Sequence, residues 1–564
     1  MQKMNRIIVN DYFIEIIADS QDSAFLLFLS FADKNKILVD KQRRHDTYRC
    51  SLRALPELLQ IMRPGYTLDK LPPIISRNLN EELIRRERTQ LLIKHGPDNI
   101  HPFLWRHQQL GVELAEVNRR YGFFYDTRTG KTLMALQIIH NALKYGGAKR
   151  ALVICPSAII QAWLDDAKQF PDLKVAAYWG DKADRLNALC TPCHIMLWSM
   201  ELSLNTMDLL TKAKFDICFI DESSKLKSHK SKTSKNMREL SLLIPRWYLL
   251  SATPAPNGEQ EYYTQLKTID PYVFPDAITR FENKYFIDMS RSVKFPKLVI
   301  HPGMKETFDN KIKEYAIYVD QSVMPIAGKE WHTVEFDMPS ELRAYYDKMR
   351  NDMSIEVAGR EIDADMAAAI RAKLNQIASG FIMDTAAISE NKLNKKIGVA
   401  SNEQEIYAMS DYRVKELDNL LKTFGDKKVV IWANYREEFR MIKQLLGSSA
   451  RYIRGGTDIK EKEEAIALFK KGSLQYLVCH PASIGMGRNF TPAHIAVYYS
   501  MTDSWELLKQ SSERIAGHID VQPNKCLYYV LQARNTVDEI IYANVTNKRE
   551  STTEILKHLE ARFE

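Results

Sequence analysis

FFYDTRTGKTLMALQIIHNAL, Phe123 to Leu143, is the stretch on which the reading of this chain turns. Three aromatic residues, a short polar loop and then apolar residues at helical spacing predict strand, loop, helix. The loop closes on Thr129-Gly130-Lys131-Thr132, as a phosphate-binding loop does. A helix N-terminus offers unpaired N–H groups and positive potential to phosphate oxygens. In such a cradle Thr129 and Gly130 bring the backbone close, Lys131 neutralises the β- and γ-phosphates, and Thr132 can ligate Mg²⁺. The start of the loop departs from the pattern, because Tyr125 stands where its first glycine belongs. Gly-Lys-Thr alone is weak evidence, so the rest of the chain has to decide.

At 564 residues the chain exceeds what one core organises, and its 45% hydrophobic and 27% charged residues are those of an ordinary globular protein. The longest apolar run, SAFLLFLSFA (23–32), is too short to span a membrane and follows acidic residues. It reads as buried strand. The balance of 79 basic against 71 acidic residues gives a net charge of +8, which permits a polyanionic partner without requiring one. Cys155, Cys218 and Cys479 lie inside apolar strand-like runs, as thiols do in a reducing compartment. CTPCH (190–194) has the spacing of a redox pair or a haem attachment, but no further ligands follow it. It reads as a loop entering the next strand.

Short β-branched runs recur between helical patterns: FFYD (123–126), ALVICP (151–156), HIMLWS (194–199), FDICFID (215–221) and WYLLSAT (247–253). After a gap come KVVIWA (428–433), YLVCHP (476–481), IAVYYS (495–500) and CLYYVL (526–531). Continuous apolar strands alternating with helices predict parallel sheets covered on both faces, with ligands beyond the carboxyl ends of the strands. The expected architecture is α/β. A small α+β N-terminal domain (1–62) and a helical linker (63–100) precede lobe one (101–325), which has a helical protrusion from about 256. Lobe two (326–535), with a helical insertion near 340–425, and a helical tail (536–564) complete it.

About 90 residues beyond the glycine loop, FIDESS places Asp221 and Glu222 at the end of an apolar strand. Nucleotide hydrolysis needs two carboxylates in this arrangement, one to hold the metal's shell and one to orient and deprotonate water. A strand ending in a polar turn explains either acid alone, but not both motifs in this order.

These motifs together resemble the superfamily-two helicase-like ATPases, most closely the Swi/Snf-type duplex-DNA translocases with two RecA-like lobes. WRHQQLGV (105–112) resembles the adenine-recognising motif, with Gln108 as its glutamine. VICPSAIIQAW (153–163) resembles motif Ia, FIDESSKLKSHKSK (219–232) motif II, and LLSATPAPNG (249–258) motif III. VVIWANY (429–435), SIGMGRNFTPAHIAVYYS (483–500) and QSSERIAGHID (510–520) stand where motifs IV, V and VI belong. The resemblance implies ATP and Mg²⁺ as cofactors. Lys131, Asp221, Glu222, Gln510 and a trans-acting Arg514 would then be catalytic, and Gly487 would touch nucleotide. Thr132 and Asp221 would hold the metal, and Ser251 and Thr253 would couple the lobes. Motif VI ordinarily carries a second arginine three residues after the first, and here that place is Gly517.

Double-stranded or branched DNA is the implied partner. Ser157, Asn434 and Ser483 stand where related motors meet the backbone, and small polar groups suit sequence-independent phosphate contacts. The run from Lys225 and Lys227 to Arg238 carries six cations and no acid, which reads as a phosphate-contacting patch or as a solvated helix start. Residues 36–62 are similar to the HARP-type domain of annealing helicases, with a basic turn at 41–45; the alternative is a structural cap on lobe one. The implied activity is ATP-driven translocation that remodels forks or branches. A strand-separating helicase, or an ATP-binding clamp with weak hydrolysis, remain alternatives. A monomer without membrane contact is expected, in the cytoplasm of a bacterium or a virus-infected cell.

Overall fold

The computed structural model describes residues 6–9, 13–17, 39–41, 47–62, 73–99, 102–289, 298–357, 360–363, 367–383, 406–483 and 489–557. The apolar run 23–32, residues 42–45 of the basic turn, the polar stretch 387–404 and Gly487 lie outside them. The chain divides into two compact units, Met1–Val323 with Ser551–Glu564, and Met324–Glu550.

The first unit opens with four antiparallel strands, β1 (Arg6–Val9), β2 (Phe13–Ile17), β3 (Val39–Lys41) and β4 (Thr47–Ser51), in the order β1-β2-β4-β3. Alternation places Ile14, Ile16, Tyr48 and Cys50 on one buried face, against Leu55, Leu58 and Leu59 of α1 (Leu55–Met62). A long helix, α2 (Pro73–His95), follows. This module is bonded to the amino ends of the next sheet. Ser51 Oγ donates to Asp270, which also accepts from Tyr315 OH at 2.8 Å. Arg53 lies 3.9 Å over the Tyr315 ring and donates to Arg120 O at 3.2 Å.

That sheet has seven parallel strands: β5 (Arg120–Tyr125), β6 (Ala151–Cys155), β7 (Val175–Tyr178), β8 (Ile195–Ser199), β9 (Ile217–Asp221), β10 (Arg246–Leu250) and β11 (Ala316–Val319). Their order is β11-β5-β10-β9-β6-β8-β7. Strands β6, β8 and β9 are buried at every position, as strands covered on both faces must be. Helix α3 (Arg106–Val117) precedes β5, and α4 (Lys131–Lys144) crosses from β5 to β6. Because β10 lies between β5 and β9, with Leu250 paired to both Phe123 and Asp221, three loops meet at one carboxyl edge. After about residue 256, Tyr262, Phe274, Phe281 and Phe308 pack into this lobe's own core.

The second unit holds six parallel strands: β12 (Lys329–Phe336), β13 (Val429–Trp432), β14 (Ala450–Ile453), β15 (Tyr476–Cys479), β16 (Ile495–Tyr498) and β17 (Cys526–Ala533). The order is β12-β17-β16-β13-β15-β14, which leaves β14 at an edge. Helix α5 (Arg436–Leu446) follows β13 and α6 (Trp505–Ser512) follows β16. Helices Ser340–Asp352, Ala367–Ala378 and Tyr412–Thr423 and two short strand pairs fill the interval between β12 and β13. Two parallel α/β lobes therefore carry the motifs on their carboxyl edges.

Candidate nucleotide site and nucleic-acid contacts

Tyr125 is the last residue of β5, fully buried, and its hydroxyl donates to His107 O at 2.8 Å. The tyrosine at the glycine position is thus a strand residue pinned to α3. The turn is made later, by two left-handed residues, Arg128 at φ 62° and Gly130 at φ 73°. A left-handed conformation costs a side-chain-bearing residue about 1–2 kcal/mol, so glycine is the relaxed choice at 128 and arginine is held there under strain.

Around the turn, His107 Nε2 donates to Thr129 O at 2.8 Å, and Gln108 Nε2 donates to Thr129 O and Gly130 O, both at 3.2 Å. Gln108 Oε1 accepts from Trp105 N at 2.9 Å, so both ends of its amide are engaged and it holds the loop's carbonyls. A Cβ at Gly130 would fall well inside contact distance of Gln108 Nε2. Lys131 Nζ donates to Tyr125 O at 2.9 Å and Asp126 O at 3.0 Å, which sets its ammonium over the loop at the start of α4. Thr132 follows, half-buried, in the first turn.

Asp221 ends β9 and is 6% exposed. Its Oδ2 accepts from Trp163 Nε1 at 2.9 Å and its Oδ1 from Glu222 N at 2.9 Å. Burial pushes its carboxyl above the ordinary range, opposed by the Trp163 bond and by the Lys131 ammonium. A buried carboxylate that keeps free lone pairs beside one ammonium suits a divalent cation. Glu222 follows in the left-handed region at φ 54°, the kind of strained backbone that collects at functional sites. Ser251 and Thr253 are buried beyond β10, with Thr253 N donating to Ser251 Oγ at 3.1 Å.

Two residues of this edge carried no sequence signal of their own. Trp163 was only the last letter of a motif, and its indole N–H is what orients Asp221. Gln265 is fully buried on the helix Tyr262–Ile269; its Oε1 accepts from Ser223 Oγ at 2.8 Å and its Nε2 donates to Pro254 O at 2.6 Å. It links the loop after Glu222 to the loop after Thr253.

The proposed backbone contacts are more scattered. Ser157 is half-buried and its N–H donates to Glu201 at 3.1 Å. Lys225 is exposed and Lys227 half-buried on the turn after Glu222. CTPCH begins on the last residue of the helix Lys182–Cys190 and leads into β8. No metal-binding group of His, Cys, Asp and Glu occurs among the described residues.

In the second unit Asn434 follows β13, and its Nδ2 donates to Ser500 O and Oγ, both at 2.9 Å. Buried Glu438 accepts from the N–H groups of Asn434 and Tyr435 at 2.8 and 3.1 Å, and from the hydroxyls of Ser379 and Ser500 at 2.7 and 2.8 Å. Ser483 stands half-buried beyond β15. Gln510 lies on α6, its Nε2 donating to Glu506 at 3.4 Å. Arg514 is 9% exposed, its carbonyl accepting from Phe490 N at 2.6 Å. Burial pushes the neighbouring Cys479 thiol far up, and the Arg514 charge pulls against it.

Against known protein families, residues 107–381 match the SNF2-related domain and residues 412–517 the Helicase conserved C-terminal domain, together about two thirds of the chain and in that order. The chain belongs to the Snf2-type helicase-like ATPases. It is 23% identical over 455 residues to Chromodomain-helicase-DNA-binding protein 1-like of Danio rerio, covering 77% of this chain and 41% of that protein. Putative protein p41 of Acyrthosiphon pisum secondary endosymbiont phage 1 is 24% identical over 453 residues, covering 74% of this chain and 90% of p41. RNA polymerase-associated protein RapA of Pseudomonas putida (strain W619) is 24% identical over 415 residues, covering 68% of this chain and 42% of RapA. The chain thus spans less than half the length of the first and third of these. Among solved structures, the Sulfolobus solfataricus SWI2/SNF2 ATPase core in complex with dsDNA is similar at 18% identity, with a TM-score of 0.37, covering 83% of this chain and 99% of that chain.

For this Snf2-type chain the missing motif VI arginine has a steric reason. A Cβ at Gly517 would stand 2.8 Å from Thr491 Cγ2 and 3.2 Å from Gln522 Cβ. Gly517 O meanwhile accepts from Ala327 N at 3.0 Å. A side chain at 517 would require Thr491 to shift.

Proposed function

We propose that this Snf2-type ATPase hydrolyses ATP in response to duplex DNA, translocates along it, and remodels forked or branched DNA by regression, annealing or branch migration. The observation that carries the reading is the grouping of Lys131, Asp221 and Glu222 on one carboxyl edge, with Lys131 stabilising the Asp221 charge. Gly130 and the N–H groups opening α4 would cradle the phosphates, and Lys131 would exchange its loop carbonyls for phosphate oxygens. Thr132 and Asp221 are the residues that would hold Mg²⁺, which would neutralise charge on the triphosphate. Glu222 would orient the attacking water and take its proton, and Arg514 would steady the transition state.

A second reading, an ATP-binding clamp with slow turnover, is favoured by Gly517, which leaves motif VI without its second arginine at a tightly packed position. ATPase rates without nucleic acid and with single strand, linear duplex and a branched junction separate these readings. Stimulation by duplex, and more by the junction, is the expected outcome. Stimulation by single strand alone would transfer the assignment to a strand-separating helicase, and turnover unchanged by all of them would favour the clamp.

A further inference from the structure

An open groove of about 790 Å³ runs along lobe two between α5 and the edge strand β14. Five cations line it: Arg436, Arg440 and Lys443 from α5, Arg451 from β14 and Arg454 from the turn beyond. Positions 436, 440 and 443 share one helix face, and like charges at such spacings weaken a helix, so their alignment needs a cause. Arg440 is partly balanced by Glu437 at 2.7 Å from Nε, and Glu461 is the one acid in the lining. Arg436, Lys443 and Arg454 make no side-chain hydrogen bond or ion pair with described residues, and all three are exposed.

Protecting an edge strand is the bland explanation, but one or two charges achieve that. Here cations line both walls over the length of α5 from Arg436 to Gly447, a rise of about 16 Å. A groove of this length admits a short run of successive phosphates of one strand. The upper end, Arg454-Gly455-Gly456-Thr457, lies on the carboxyl edge, where a Cβ at Gly455 would be 4.0 Å from Ser483 Oγ. An extended acidic peptide would need apolar pockets for alternate side chains, and of the lining residues only Phe439, Ala450, Tyr452 and Ala465 bring apolar or aromatic side chains, beside five cations.

We infer that this groove is a second phosphate-backbone site for the nucleic acid, continuing the path from Ser483 down the outer edge of lobe two. The inference rests on the polynucleotide-driven reading above. The test compares the full chain with its Arg440→Gln/Lys443→Gln/Arg451→Gln variant, and with the charge-keeping Arg440→Lys/Lys443→Arg/Arg451→Lys variant. Affinity for a 30-base-pair duplex is measured across a salt series, with ATPase at saturating duplex. Each lost phosphate contact lowers the steepness of log affinity against log salt by about 0.9. The neutral variant is expected to lose about two to three from that slope and to bind more weakly, with saturated turnover within about twofold of wild type; the charge-keeping variant should follow wild type.

A wild-type slope in the neutral variant would overturn the groove site while leaving the motor reading intact. Equal losses in both variants would also overturn it, by making the role one of packing. Competition by polyglutamate as effective as by duplex would overturn the choice of ligand. Failure of the motor reading shows separately, as a wild-type chain whose ATPase ignores duplex, and would take this inference with it.

Discussion

Trp163 and Gly517 show how much of this site is decided by single atoms. The Trp163 indole N–H is one of two donors to the buried Asp221 that oppose the upward push of burial on its pKa. Replacing it in Trp163→Phe removes a downward influence on that pKa, so the carboxyl must move further up. Ionised Asp221 is the form that would bind metal, and activity is lost as pH falls through its pKa. The acid limb of the ATPase profile should therefore shift to higher pH, with most of the rate recovered in alkali. An unshifted limb would mean that Asp221 is ionised by other means. At Gly517 the expectation runs against the family pattern. Gly517→Arg restores the absent arginine yet forces Cβ against Thr491, and overpacking of this kind costs about 1–3 kcal/mol. Thermal unfolding should fall and turnover should not rise; a faster, equally stable variant would show that the pocket yields.

Among the elements, strands and glycine loops were legible in the sequence because burial on both faces writes itself as continuous apolar runs. FFYD, FDICFID and VVIWA fall on β5, β9 and β13. What sequence left dark is contact made across distance. Gln265 sits on a helix with no motif, Glu438 looks like any surface glutamate, and the cations of α5 acquire meaning only once β14 is known to be the facing edge. The same holds for α2, which lies in the helical linker and also acts as a tie. Glu82, 6% exposed, pairs with Arg85 at 2.7 Å and Arg86 at 2.9 Å, and Arg86 continues to Glu57 on α1 at 2.6 Å. Arg85 reaches Asn118 beyond α3 at 2.8 Å. Burial works to raise the Glu82 carboxyl, and Arg85, Arg53 and Arg86 more than offset it, leaving the pKa lowered. A lowered carboxyl gives stability that is present above its ordinary pKa and lost as pH falls through the folded value. Glu82→Gln leaves buried arginine charge behind and should cost about 3 kcal/mol at neutral pH, the low end of such losses because Arg86 is about one third exposed. On acidification the gap between variant and wild type should close, as followed by denaturant unfolding at pH 7 and pH 3.

At the scale of the whole chain, the N-terminal module invites a deletion test, but its docking makes that test ambiguous. Removing residues 1–62 would strip Asp270 and Tyr315 of Ser51 and Arg53 and damage lobe one itself. Arg43→Ala/Arg44→Ala in the full chain leaves those bonds in place. It should weaken binding to forked DNA more than to linear duplex; equal affinities would favour the cap.

Arg514 tests the proposition that both lobes serve one reaction. Lobe one carries the residues that would bind and polarise the triphosphate, so binding should be insensitive to a change in lobe two. If the Arg514 charge acts on the transferring phosphoryl group, its loss should appear in turnover alone, and arginine fingers contribute on the order of 10³–10⁵ in rate. Because Gly517 leaves no second arginine in motif VI, nothing at that position can compensate, and the loss should fall toward the upper part of that range. Arg514 is also buried, so Arg514→Ala could act by loosening lobe two. Arg514→Lys separates the two effects, keeping charge and most of the volume while losing the planar fork that matches phosphate oxygens. The expected pattern is unchanged affinity for a non-hydrolysable ATP analogue in both variants, with duplex-stimulated turnover abolished in alanine and low in lysine. Full turnover in Arg514→Ala would remove the arginine from the reaction and leave lobe two to supply its cation from elsewhere.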